Sequence, residues 1–97
     1  MTTPEGKIKK QIVDDLEAMG AYVFKPVQMG YGKRTVDLLV CWRGQFIGIE
    51  VKRPGKTPTP LQVETLDEVR AAGGIAFWVD NREDVRAQLA NLERNLI

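Results

Sequence analysis

The sequence predicts an α/β fold in which a mixed β-sheet is flanked by helices. Two alternating apolar runs, residues 35–42 and 45–52, flank Arg43-Gly44 and predict an antiparallel hairpin, because glycine in the second turn position favours a two-residue turn. A later apolar segment, 75–79, follows a crossover helix and should therefore lie parallel to a strand already in the sheet. Together with amphipathic segments near both ends, these runs predict one domain with the order αβββαβα.

The first helix is expected from Pro4 to Met19, with Gly20 ending it. Its apolar stripe has i, i+4 spacing: Ile8, Ile12, Leu16 and Met19. A first strand is expected at residues 21–25 and a glycine-containing loop at 26–34.

A stiff connection, residues 53–60, should follow the hairpin. Thr59 is expected to cap a helix with Pro60 at its first position, which would run to about Ala72. The last helix should begin after Asp80 or Asn81. Its stripe is Val85, Leu89, Leu92 and Leu96.

Composition excludes several classes of protein. The chain has 97 residues, one cysteine and no histidine, which removes histidine-based nucleophile mechanisms, internal disulfides and zinc sites built on cysteine or histidine. Cys41 is expected to pack as a small hydrophobe. No apolar run approaches the ~20 residues that span a bilayer, and no signal-peptide core is present, so a soluble cytoplasmic protein is expected.

The net charge of +1 is unevenly distributed. Residues 1–57 hold ten Lys/Arg and six Asp/Glu, whereas residues 58–97 hold four and seven. A basic first half suits a polyanionic partner.

The hairpin register brings two carboxylates together. If Arg43-Gly44 is the turn, Asp37 lies opposite Glu50, where like charges are destabilising. Lys52 shares that face because side chains alternate along a strand. Paired carboxylates beside an ammonium group indicate a site for a hard cation such as Mg²⁺. A solvated outer face is the alternative interpretation, although such a face would avoid opposed carboxylates.

Asp37 followed by Glu50-Val51-Lys52 resembles the PD-(D/E)xK nuclease signature. Roughly residues 3–80 resemble the virus-type replication-repair nuclease domain, VRR-NUC. The matching features are Glu5, the loop Met29–Arg34, Asp37-Leu38-Leu39, the strand Ile49–Lys52 and Gln62. Val36 departs from the pattern, which often has proline before the aspartate, at a position where the superfamily is tolerant.

The resemblance implies a restriction-endonuclease-like αβββαβ core with an additional C-terminal helix. It also implies that Mg²⁺ or Mn²⁺ is held by Asp37, Glu50 and the Val51 carbonyl, with Glu5 as a further candidate ligand. Lys52 would assist the attacking water and counter charge in the transition state. Gln62 would lie near the active site and steady water or a phosphate.

Two of these residues have an equally good local interpretation. Thr2-x-x-Glu5 and Thr59-x-x-Gln62 both have the spacing of a capping box, and an early glutamate also complements the helix dipole. Lys52 could be an ordinary surface lysine.

Five residues are candidates for contact with DNA. The loop before Asp37 combines glycines with an aromatic ring and two cations, which favours base stacking and phosphate contact over a plain solvated loop. Two further cations follow Lys52. The candidates are Tyr31, Lys33, Arg34, Arg53 and Lys56.

The expected function is metal-dependent, structure-selective endonuclease activity on DNA, either resolving Holliday junctions or cutting flaps. Stand-alone members that this chain resembles act as homodimers on four-way junctions, since a symmetric junction needs two active sites on a two-fold axis. The apolar end of the last helix, Leu89, Leu92, Leu96 and Ile97, offers a candidate dimer surface. A phage or other mobile element is the expected source. The alternatives are the same chemistry on nicked, single-stranded or duplex DNA, and a non-catalytic DNA-binding module.

Overall fold

The computed structural model describes residues 2–27 and 32–95. Its elements follow the predicted order αβββαβα. The helices are α1 (Pro4–Ala18), α2 (Pro60–Ala71) and α3 (Arg82–Asn95), and the strands are β1 (Tyr22–Phe24), β2 (Leu38–Trp42), β3 (Gln45–Val51) and β4 (Ile75–Val79). The predicted α/β fold is confirmed, with most ends within one or two residues of expectation.

The four strands form one mixed sheet in the order β1-β2-β3-β4. β2 is antiparallel to β1 and to β3, whereas β4 is parallel to β3, as the crossover through α2 predicts. The hairpin has the predicted register, from Trp42 opposite Gln45 to Leu38 opposite Ile49. Arg43 (φ 52°) and Gly44 (φ 78°) both have positive φ, as a type I′ turn requires.

Helices cover the two faces of the sheet unequally. α1 and α3 cover one face, where Ile12, Leu16 and Leu89 form a core cluster with inward residues of β2, β3 and β4. α2 covers only part of the other face, where Leu66 packs with Val36 and Ala76. β3 therefore lies buried on both faces near its end, while the α2 face of β1 and β2 stays open.

Salt bridges also link α1 to α3. Arg82 donates from Nε and Nη2 to the two carboxylate oxygens of Asp15, at 2.9 and 2.6 Å. Arg86 adds a contact of 3.3 Å. The hydrogen bond from Arg82 holds the pKa of Asp15 below its ordinary value.

Two expectations from the sequence are wrong. Cys41 is exposed rather than packed, because it points from β2 toward the face that α2 does not reach. Leu89 is fully buried and Leu92 is half-buried against the core, so these two leave little free apolar surface for a dimer. Leu96 and Ile97 lie outside the described residues. Among the described residues, no helix has the length and apolarity needed to cross a membrane.

Candidate active site

Glu50 is a buried carboxylate near the end of the central strand β3. Only 4% of the residue is exposed. Burial, followed by the negative charge of Asp37 and a hydrogen bond to Asp37, raises its pKa to about 8. Lys52, two residues along the same side, acts in the opposite direction and favours the ionised form. In the metal-free protein, the site therefore favours the protonated form of Glu50 at neutral pH.

Asp37 stands just outside the hairpin ladder rather than in a paired position, since β2 begins at Leu38. Its Oδ2 accepts a hydrogen bond of 2.9 Å from the Val51 amide, in the place that a backbone carbonyl would take in a longer ladder. Its Oδ1 lies 4.0 Å from the Lys9 ammonium group. The expected meeting of Asp37 and Glu50 is present, but Asp37 also has a structural hydrogen bond that the register did not predict.

Gln62 forms the predicted capping box and also contacts Glu50. Its side-chain Oε1 accepts from the Thr59 backbone amide at 2.9 Å. Its backbone amide donates to the Thr59 hydroxyl at 3.2 Å, which completes the capping box. Its Nε2 donates to Glu50 Oε1 at 3.1 Å. The cap thus fixes the side chain that orients Glu50, and the start of α2, where the helix dipole is positive, faces the site.

Glu5 lies at the second position of α1 and is half-buried. Its negative charge adds slightly to the raised pKa of Glu50. The predicted capping box with Thr2 is wrong: the Thr3 hydroxyl caps the helix by accepting from the Gly6 amide at 2.9 Å. Thr3 is the cap because Pro4, which suits the first position of a helix, follows it.

Both the sequence and the fold of this chain resemble those of known proteins. No family model matches the sequence. A curated relative, "Putative nuclease p44" of Acyrthosiphon pisum secondary endosymbiont phage 1, is 28% identical over 79 residues, which cover 81% of this chain and 85% of that protein. A solved structure described as a VRR_NUC domain superimposes with a TM-score of 0.77 and 30% identity, covering 92% of this chain and 97% of the other.

The chain belongs to the VRR-NUC family. The superposition spans nearly the whole of both chains.

The VRR-NUC site contains oxygen donors of the kind that Mg²⁺ and Mn²⁺ prefer. Across residues 2–27 and 32–95, no group of three or more acidic or cysteine side chains is arranged to hold an ion. An ion would thus depend on Asp37, Glu50 and a backbone oxygen such as that of Val51, with water completing the shell. A buried carboxylate beside a half-buried one, without a bidentate cationic partner, fits that role, because an ion would neutralise their repulsion.

The residues predicted to contact DNA are only partly described. Lys33, Arg34, Arg53 and Lys56 are all exposed. Lys33 pairs with Glu68 on α2 at 3.1 Å. The predicted stacking residue Tyr31 lies outside the described residues.

Lys9 is a site residue that the sequence interpretation did not select. The helical spacing could have identified Lys9, because it follows Glu5 by four residues and therefore lies on the same face of α1. Its ammonium group is the nearest cation to Asp37 among the ion pairs of the described chain.

Proposed function

We propose that this VRR-NUC chain is a Mg²⁺- or Mn²⁺-dependent endonuclease that hydrolyses phosphodiester bonds in DNA. The observation that carries the proposal is the burial of Glu50 against Asp37 at the end of the sheet, with Lys52 beside them. Such an arrangement is unfavourable for an isolated fold but suits a cation and an anionic substrate. The name of the phage relative supports the same reaction class.

Asp37, Glu50 and the Val51 carbonyl would hold one or two ions, with Glu5 close enough to add to the negative field. When bound, such an ion supplies Lewis acidity toward the phosphate and lowers the pKa of water.

The remaining side chains have separate tasks. The Lys52 ammonium group would orient the attacking water and counter negative charge in the transition state. Gln62 holds the Glu50 carboxylate in place through its 3.1 Å hydrogen bond. Lys9, beside Asp37, is positioned to contact a phosphate next to the one that is cut. Arg53, Lys56, Lys33 and Arg34 would extend phosphate contact outward.

We propose branched DNA as the substrate, either a four-way junction or a flap, and a homodimer as the active form. This finer proposal rests on the family resemblance and on symmetry: two cuts in a two-fold junction need two sites. A phage or mobile element acting in the bacterial cytoplasm is the proposed setting, supported by the source of the curated relative.

The distant alternative is a DNA-binding module without catalysis. Asp37, Glu50, Lys52 and Gln62 converge in one place, which argues against it, because binding alone does not require opposed carboxylates.

Cleavage of a labelled panel tests the proposal. Four-way junction, flap, nicked, single-stranded and duplex DNA would each be incubated with Mg²⁺, with Mn²⁺ and with EDTA. We expect metal-dependent cutting, fastest on a branched substrate. Binding of the panel with no cutting in either metal would identify a binding module, and equal cutting of all substrates would remove the structure selectivity.

A further inference from the structure

β1 is an edge strand that presents two aromatic rings to solvent. Tyr22 is 71% exposed and Phe24 is 53% exposed. They lie on the sheet face that α2 leaves open, since Tyr22 pairs with Cys41 and Phe24 with Leu39. Large exposed rings next to each other indicate a contact surface rather than a chance exposure.

The rings lead toward the proposed active site. Phe24 pairs with Leu39, two residues beyond Asp37, so strand geometry puts the Cα atoms of Phe24 and Asp37 about 8 Å apart. Tyr22 lies roughly 7 Å further along the same strand. Glu50 is on this same face, because it follows Gly48, the partner of Leu39, by two residues.

The opposite side of β1 borders a groove that is lined by ammonium groups. Lys25 lines a groove of about 390 Å³ between α1 and the sheet edge, together with Lys9 and Lys10. Asp14, which pairs with Lys10 at 3.1 Å, and Glu17 line it as well, so lysines exceed carboxylates by three to two. Lys9 connects this groove to the active site through its contact with Asp37.

β1 has aromatic rings on one face and lysines beside its other face. This surface is complementary to single-stranded DNA, which has planar bases and an anionic backbone. Bases in a duplex are already stacked inside it, whereas an unpaired base offers a free face to an aromatic ring. Such stacking is tolerant of sequence, because every base has a flat face.

We propose that β1 binds an unpaired strand of the DNA substrate, with bases stacked on Phe24 and Tyr22 and phosphates on Lys9 and Lys25. The inference rests on the proposed nuclease function and narrows it. The preferred substrate is a flap or an overhang with its unpaired segment beside the cut, ahead of a fully paired four-way junction.

Binding in EDTA, where hydrolysis is stopped, tests the surface directly. Fluorescence anisotropy would compare a labelled single strand of about a dozen nucleotides with the matching duplex. Phe24→Leu and Tyr22→Leu should each weaken single-strand binding by about fivefold to 150-fold, with duplex binding changed far less. Phe24→Trp should restore binding, because it retains a ring.

Phe46→Leu is the matched control. Phe46 is 50% exposed on the same sheet face, but it lies two strands away from β1 and should not touch the bound strand. Ring variants that bind the single strand as tightly as wild type would overturn the inference. The same holds if the Leu variants only convert a dimer to a monomer in light scattering, with DNA affinity unchanged.

The two proposals can fail separately. If wild type cuts DNA and the ring variants keep its preference between flap and blunt duplex, the β1 surface is wrong and the nuclease stands. If no DNA is cut but single-strand binding depends on the rings, the nuclease is wrong and the β1 surface stands.

Discussion

Glu50 is the residue at which the demands of folding and of the proposed chemistry conflict. A carboxylate that is 4% exposed loses its hydration, and Asp37 adds a second negative charge beside it. Lys52 offsets only part of this repulsion. The hydrogen bond from Gln62 is retained whether or not the group is ionised, because Oε1 remains an acceptor in both states.

The raised pKa of Glu50 predicts how the stability of the metal-free protein depends on pH. The folded group titrates near pH 8, whereas in the unfolded chain it titrates near its ordinary value of 4.5. The folded state therefore holds a proton that the unfolded state releases between these values. The stabilisation is full below about pH 4.5 and is lost as the pH rises toward 8.

Glu50→Gln keeps the shape and the acceptor oxygen but does not titrate. In EDTA we expect wild type and variant to have similar free energies of unfolding near pH 4, and the variant to be more stable by about 1 kcal/mol or more near pH 8. Urea denaturation across this range is the measurement. A variant that is less stable than wild type at pH 8 would contradict the buried, repelled carboxylate.

Lys52 should matter for rate and little for affinity. Lys52→Ala should abolish cleavage while DNA binding stays within a few-fold, since one cation among many phosphate contacts adds little to affinity. Single-turnover cleavage with Mg²⁺, beside anisotropy in EDTA, separates the two effects. Wild-type turnover by Lys52→Ala would remove this residue from the mechanism.

Among the elements, the loop before Asp37 is the one whose proposed contact with DNA phosphates depends on charge. Lys33 and Arg34 are exposed, and Lys33 is paired with Glu68. Changing both to alanine should weaken DNA binding and flatten its dependence on salt by roughly one to two units of log-log slope. The slope is measured by anisotropy over a series of salt concentrations.

Arg94→Ala is the control for the loop, since it removes a positive charge from the last turn of α3. It should leave the slope unchanged. If the double variant also keeps the wild-type slope, the loop is solvated and does not touch phosphates.

The hairpin and the helix starts were predictable because local rules fix them. A glycine in a two-residue turn sets the register, and threonine before proline marks the beginning of α2. Asp37 was harder, because its bond to the Val51 amide depends on where the ladder stops. Cys41 was mispredicted for a related reason: its exposure depends on how far α2 extends over the sheet, which no local pattern encodes.

Across the whole molecule, the two faces of the sheet differ in how completely helices cover them. The face under α1 and α3 provides the core, and the face that carries Glu50 is covered by α2 only near β3 and β4. The proposed active site thus lies on the side where burial is incomplete. Leu89 and Leu92 of α3 pack against the core, so we expect any dimer contact to lie elsewhere than at these two residues.

A resolvase of this size should be dimeric, since one domain would make only one nick per encounter. Light scattering at micromolar concentration, with and without a four-way junction, is the measurement. A dimer in either condition is the expected result. A monomer in both would rule out junction resolution and leave a simpler nuclease.

Thermal unfolding with and without Mn²⁺ tests most directly the proposal that Asp37 and Glu50 form a metal site. At about 100 times its dissociation constant, Mn²⁺ should stabilise wild type by roughly 2.7 kcal/mol, a rise of on the order of 10–20 °C for a domain of this size. Glu50→Gln, melted in parallel, should respond hardly at all. A wild-type protein whose melting temperature ignores Mn²⁺, or a variant that responds equally, would contradict the claim.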